Sequence, residues 1–432
     1  MSAPRSATRT SLLVLAYLGF ISLGLPDGLI GVGWPSIRTE FGVPVEALGF
    51  LSIAGTTGYA LSSVVGGFTI ARVGVGVLLA GSTALAAAAL FGYAASPGLV
   101  VVVGGALLLG LGSGAIDSGL NAYAAANFGA RHMNWLHASF GFGATLGPLI
   151  MTGVLAASLS WRWGYGIVAG AQTLLAVAFA LTAGSWATRE PAPAAEIPAP
   201  EIPAVGKPAP GRPAVGRPAV GKSAVGKSAG GDPAVIPLAG VRKRDTLALP
   251  AVWLGVLAFA LYTAIEVAAG LWAYILLTDG RGMGSSAAGI CVAAYWGSLF
   301  VGRLILGVVA ERLGSGPVLV TSLAGMLGGA VLVALPAPAW LAVAGLILVG
   351  FAAAPVFPLL TLTTAIRVGD AHADRAIGLQ VGAAGLGGAL LPAGIGVLLG
   401  QVNVEALGPS LVALSVALLA LYLVASRRAP AA

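Results

Sequence analysis

Three acidic residues fall inside long apolar stretches: Asp27 within GLPDG, Asp117 within AIDSGLN and Glu266 within TAIEVAAG. A carboxylate at the centre of a bilayer costs about 2.5 kcal/mol or more, so such a group must face a polar cavity or a partner. Carboxyl groups in a low-dielectric cavity titrate closer to neutrality than in water, and can load and release protons there. That is the chemistry of a proton-coupled carrier. Asn121 follows Asp117 by one helical turn, which puts both side chains on one face. Asn134 and His137 stand in the next apolar segment, beyond a short basic loop around Arg131 and His132. Asp117, Asp27 and Glu266 are thus the expected proton-coupling groups, with Asn121, Asn134 and His137 beside them for substrate. The structural alternative is that Asp117 only glues helices together through hydrogen bonds.

Pro26 and Gly28 weaken the backbone ladder around Asp27, and broken helices are where transporters place ligand and ion sites. Arg303 is a further charge within an apolar stretch; it suits snorkelling or pairing with a carboxylate. Among aromatic residues near these levels, Tyr262, Trp272 and Trp296, with Trp34 and Tyr295, offer faces for stacking on sugar rings. Gln172 and Gln380 offer hydrogen bonds to hydroxyls. Packing and interface anchoring are the competing roles for the aromatic set.

The elements that carry these residues follow from composition. Of 432 residues 58% are hydrophobic and 9% charged, whereas a soluble chain carries roughly a quarter charged residues. Six apolar windows of about 20 residues lie between 10 and 187 and six more between 249 and 426, each long enough to span a bilayer. The expected fold is an all-α polytopic membrane protein of twelve transmembrane helices in two six-helix bundles. Its parts are 1–187, a cytoplasmic linker 188–246 and 247–432. The first window lacks a small-residue cleavage site and reads as a retained span. A single cysteine, Cys291, excludes an intrachain disulfide.

The net charge of +7 does not point to nucleic acid, because Lys and Arg cluster at segment ends and in the linker. With both termini cytoplasmic, the short inner segments carry nine of these residues against three (Arg38, Arg162, Arg281) outside. That bias predicts a multi-pass protein of the cytoplasmic membrane with both ends inside. The linker is rich in Pro and Gly with a basic residue every five positions, from Lys207 to Lys227, and is expected to be disordered. Its GRPAVGKS run (216–223) matches the phosphate-binding loop pattern in letters only. That motif works between a strand and a helix, and neither flank is available. Anionic lipid headgroups are the more natural contact for this tether.

The halves echo one another. GFTIARVG (67–74) follows the second window and GVVAERLG (307–314) follows the eighth, both close to G-x-x-x-[DE]-R-x-G, with Ala71 in the acidic place of the first. This resembles the loop motif of the major facilitator superfamily and implies that fold, with Arg72, Glu311 and Arg312 as a lock on neighbouring helix ends. The Ala71 departure weakens the first copy. The segment from Asp117 to Gly141, with Asp27 and Glu266, looks like the fucose:proton symporter family. Asp117 stands where that family more often has Glu. The resemblance implies sugar uptake coupled to protons. A partial match, GATLGP (143–148), to a signature of proton-coupled exporters keeps export of drugs or other amphiphilic compounds as the second reading. Close helix packing explains the same residues. A receptor or membrane enzyme is the third, though no catalytic spacing, metal cluster or cofactor motif supports it. The expected partners are a small-molecule substrate, a proton (or sodium) and membrane lipids. The expected working unit is a monomer.

Overall fold

The computed structural model describes residues 5–128, 130–186 and 243–427. Among these no strand occurs, and twelve helices are long and apolar enough to cross a membrane. The first six are α1 (Arg5–Phe41), α2 (Leu48–Val73), α3 (Val75–Ala94), α4 (Leu99–Asn127), α5 (Ala130–Ala156) and α6 (Trp161–Thr182). The second six begin with α7 (Pro250–Ile275), α8 (Ser285–Leu313) and α9 (Ser315–Ala334). They continue with α10 (Ala339–Ala353, extended by Val356–Leu362), α11 (Asp370–Gln401) and α12 (Leu407–Arg427). At 1.5 Å per residue even the shortest reaches the roughly 30 Å of a hydrocarbon core.

The expected linker lies outside the described residues as far as 242, and the phosphate-loop look-alike with it. Its last part differs from expectation, for Lys243–Leu247 is a short helix. That segment lacks Pro and Gly, and the Thr246 hydroxyl is 2.9 Å from Nδ1 of His372 on α11, which ties the turn to the bundle.

The packing plan repeats. In the first half α1 lies on α5, α2 on α4, and α3 on both α4 and α6; in the second, α7 lies on α11, α8 on α10, and α9 on both α10 and α12. Adding six to every number turns one set into the other. In α1 against α5 the contact is backbone on backbone. A Cβ on Gly147 would stand 2.5 Å from the carbonyl oxygen of Leu25 and 2.8 Å from the Cα of Gly28. Gly143 and Gly147 are spent on this approach, as small residues are in membrane interfaces generally. The GATLGP segment therefore has a packing role here.

Single glycines make the tight connections. Gly74 joins α2 to α3 at φ 80°, Gly314 joins α8 to α9 at φ 84°, and Gly369 leads into α11 at φ 84°. With ψ near 150–160° this backbone is open almost only to glycine. Each glycine follows an arginine two places earlier: Arg72, Arg312 and Arg367. The third copy, R-V-G at 367–369, was legible in the sequence as a repeat of the first.

Candidate functional site

The halves meet where α5 runs along α8, α2 along α11 and α1 along α7. Down α5 and α8 the successive contacts are Thr152 with Gly289, Thr145 with Gly297, and Phe142 with Phe300. One turn further, His137, Leu304 and Ile305 are exposed. Along α11 the contacts are Glu46, just before α2, with Gly400, then Gly49 with Ala393 and Thr56 with Gly385 on α2; side chains at Gly67 or Gly378 would meet open space. A cavity therefore opens between the halves toward the end that carries the chain termini. The opposite end is shut, with Arg38 3.7 Å from Asp279 across the seam.

Three carboxylates stand on the walls of this cavity, and their surroundings differ. On α4, Asp117 accepts a hydrogen bond from the Tyr59 hydroxyl at 2.8 Å and another from Asn121 Nδ2 at 3.0 Å, one on each oxygen. On α7, Glu266 accepts one from Tyr262, and its second oxygen lies 3.6 Å from Arg303 Nη2 on α8. Tyr295 donates at 2.6 Å to the backbone carbonyl of the same residue, which fixes that turn of α7. Asp27 has neither. It lies deep in α1, in electrostatic range of Tyr59 and Tyr93, yet solvent reaches it. Among the described residues no donor or cation is bonded to its side chain. His137 is exposed on α5, its ring edge-on to Phe20 at 5.2 Å, within electrostatic range of both Asp117 and Arg303. Asp27, Asp117, Asn121, His137 and Glu266 are thus brought to one cavity.

Other residues singled out from sequence are committed to the protein itself. Gln172 is buried and donates to the Ser22 carbonyl at 2.9 Å, holding α6 to α1. Gln380, also buried, accepts from Thr364 at 2.9 Å. Trp272 is buried and donates to the Pro392 carbonyl at 2.9 Å, and Trp34 to that of Val45 at 3.0 Å. Trp296 packs edge-on against Tyr295 at 5.2 Å. The side chains of Asn134 and Arg131 lie outside the described residues. Arg72, Glu311 and Arg312 are exposed at the open end, and no ion pair among the described residues includes them.

Sequence reasoning missed Tyr59 and the shut end. Tyr59 is separated from Asp117 by 58 residues, so no spacing rule could join them. At the shut end each half carries its own clamp. Arg162 of α6 binds Glu40 of α1 at 2.7 Å and the Ala94 carbonyl at the end of α3 at 3.0 Å. Arg281, just after α7, binds Glu405 before α12 at 2.8 Å and the Val333 carbonyl of α9 at 3.0 Å. Acid and base have changed places between the halves while the helix positions correspond. From spacing alone these arginines were no more than outer-loop charges.

Comparison with known proteins bears on the whole chain. The family description Major Facilitator Superfamily matches residues 16–392 and again 253–431. The chain belongs to the major facilitator superfamily. It is accordingly a multi-pass membrane transporter of a small solute and not an enzyme. Superfamily members of known structure share the fold throughout. A point mutant of the nucleoside transporter NupG superposes with TM-score 0.71 at 14% identity, over 96% of this chain and 99% of that one. A bacterial homologue of the human lysosomal transporter Spinster, inward-facing and occupied, gives 0.68 at 15% identity over 99% and 98%. The human Sodium-dependent glucose transporter 1 is 28% identical over 134 residues, 30% of this chain. That match spans 26% of the relative's length.

Proposed function

We propose that this superfamily member moves a sugar across the cytoplasmic membrane by alternating access, coupled to protons, working as a monomer with both termini inside. The shared stretch with a glucose transporter supports the sugar, and the nine-to-three bias of short-loop Lys and Arg supports the orientation. In that orientation the cavity faces the cytoplasm.

The unequal surroundings of the three carboxylates carry the reading. Asp27 is the proton carrier, because a carboxyl group with no donor and no cation beside it gains most from a proton when water leaves the cavity. Asp117 is the substrate acceptor, pre-set by Tyr59 and Asn121 to receive sugar hydroxyls. Glu266, though first grouped with the proton-coupling residues, already has a phenol bonded to it and a cation 3.6 Å away. With a proton on Asp27 and sugar on Asp117, the cavity crosses the closed state without a bare charge. Loss of the proton at the cytoplasmic side restores that charge and favours release.

Uptake into proteoliposomes carrying purified protein tests the reading. An acid-outside pH gradient should drive sugar accumulation, while a sodium gradient alone should not. Accumulation driven by sodium and indifferent to pH would replace the proton with sodium. Tyr59→Phe should raise the half-saturating sugar concentration about tenfold or more, the worth of about one hydrogen bond to a charged group. An unchanged value would remove Tyr59 from the site.

A further inference from the structure

We infer that the solute carries a carboxylate, held by Arg303 with His137 facing it, so that the substrate class is a sugar acid. This deepens the sugar reading and rests on it. The observation behind it is a guanidinium whose donors are unspent. An arginine presents five N–H donors in a planar fork, and leaving them unmet inside a membrane is costly. At the shut end two other arginines have both terminal nitrogens bonded, although the buried Nε of Arg281 has no partner. Arg162 bonds an acid and a carbonyl, and Arg281 bonds an acid and two carbonyls, at 2.6 to 3.0 Å. Arg303 lacks such bonds, as does Arg38, whose acid stands 3.7 Å away across the shut seam. The Arg303 side chain is 22% exposed toward the cavity, and its one charged neighbour, Glu266 Oε1, stands at 3.6 Å. That is beyond hydrogen-bond length. Among the described residues its guanidinium donates no hydrogen bond.

Glu266 does not need those donors, since Tyr262 binds its other oxygen and Tyr295 holds its backbone. It keeps Arg303 near by charge while leaving the fork open. A carboxylate is the group that takes such a fork with two parallel bonds. His137, exposed on α5 of the opposite half and within electrostatic range of Arg303, offers a second donor. The hydroxyls of the same molecule then fall toward Tyr59, Asp117 and Asn121. A single negative charge suits the site, because Asp117 and Glu266 would repel a doubly charged phosphate. An anion that enters with the proton on Asp27 also crosses without net charge. Glu266 becomes a competitor for the charge of the guanidinium, standing 3.6 Å from it without bonding it.

Counterflow by the full chain in proteoliposomes, with glucose, glucuronate and glucose 6-phosphate as probes, tests this. Glucuronate should exchange with an apparent affinity about tenfold tighter than glucose, as a charge-assisted pair warrants. Arg303→Gln should erase that preference, and Arg303→Lys, which keeps the charge without the fork, should restore only part of it. Glu266→Gln should tighten glucuronate, because the competing carboxylate is gone. That variant keeps the inference testable if Arg303→Gln does not fold. Exchange of glucose with no response to glucuronate, or a preference for glucose 6-phosphate, overturns the sugar-acid assignment and leaves the sugar reading standing. So does a Glu266→Gln protein whose glucuronate affinity is unchanged or weaker. Exchange of none of the three overturns the sugar reading itself, and this inference with it.

Discussion

Asp27→Asn is expected to abolish sugar accumulation driven by a pH gradient while leaving exchange of substrate across the membrane at near parental rates. An asparagine keeps the size and polarity of the carboxyl group but holds no exchangeable proton. The carrier then behaves as if permanently loaded: it crosses the closed state with substrate on either side and cannot convert the gradient into a concentration ratio. A gradient of two pH units corresponds to about 2.7 kcal/mol per proton, so the loss amounts to about a hundredfold in the accumulation ratio. Uptake and counterflow must be measured on the same proteoliposomes, because a misfolded variant would lose both. Parental accumulation by Asp27→Asn would move the proton site to Asp117. A parallel Asp117→Asn variant should instead weaken exchange as well, since it disturbs the acceptor that Tyr59 and Asn121 orient.

The second large effect concerns the fold. Gly147→Val places a branched side chain where the carbonyl of Leu25 and the Cα of Gly28 already stand within 3 Å of a Cβ. Backbone of two adjoining helices cannot retreat as a flexible side chain can. The cost should reach about 3 kcal/mol or more, at the upper end for overpacking. Purified variant should lose its monodisperse peak after mild heating in detergent. Gly153→Val in the same helix is the control, since nothing lies within 4 Å of a Cβ there. Equal behaviour of the two variants would mean that α1 and α5 are not held by close backbone approach.

Much of the architecture was legible in the chain itself. Twelve apolar windows and scarce charge determine twelve helices, because the backbone must satisfy its own hydrogen bonds in hydrocarbon. The repeated R-x-G ends mark tight connections because only glycine adopts the backbone required at Gly74 and Gly314. The intramembrane acids announced themselves by their cost, and Asn121 was tied to Asp117 by a helical turn.

What sequence could not supply was partnership across long separations. Nothing in spacing joins Tyr59 to Asp117, Arg303 to Glu266 or Arg281 to Glu405, since each pair comes from different helices or the turns at their ends and depends on how those helices pack. Gln172, Gln380 and Trp272 looked available for substrate, yet all three are turned to backbone or side chains of neighbouring helices. Polarity in a membrane segment says that a partner exists, because an unmet polar group in hydrocarbon is costly. Whether that partner is the protein or the cargo is a matter of which way the helix faces, and that only the packed bundle decides.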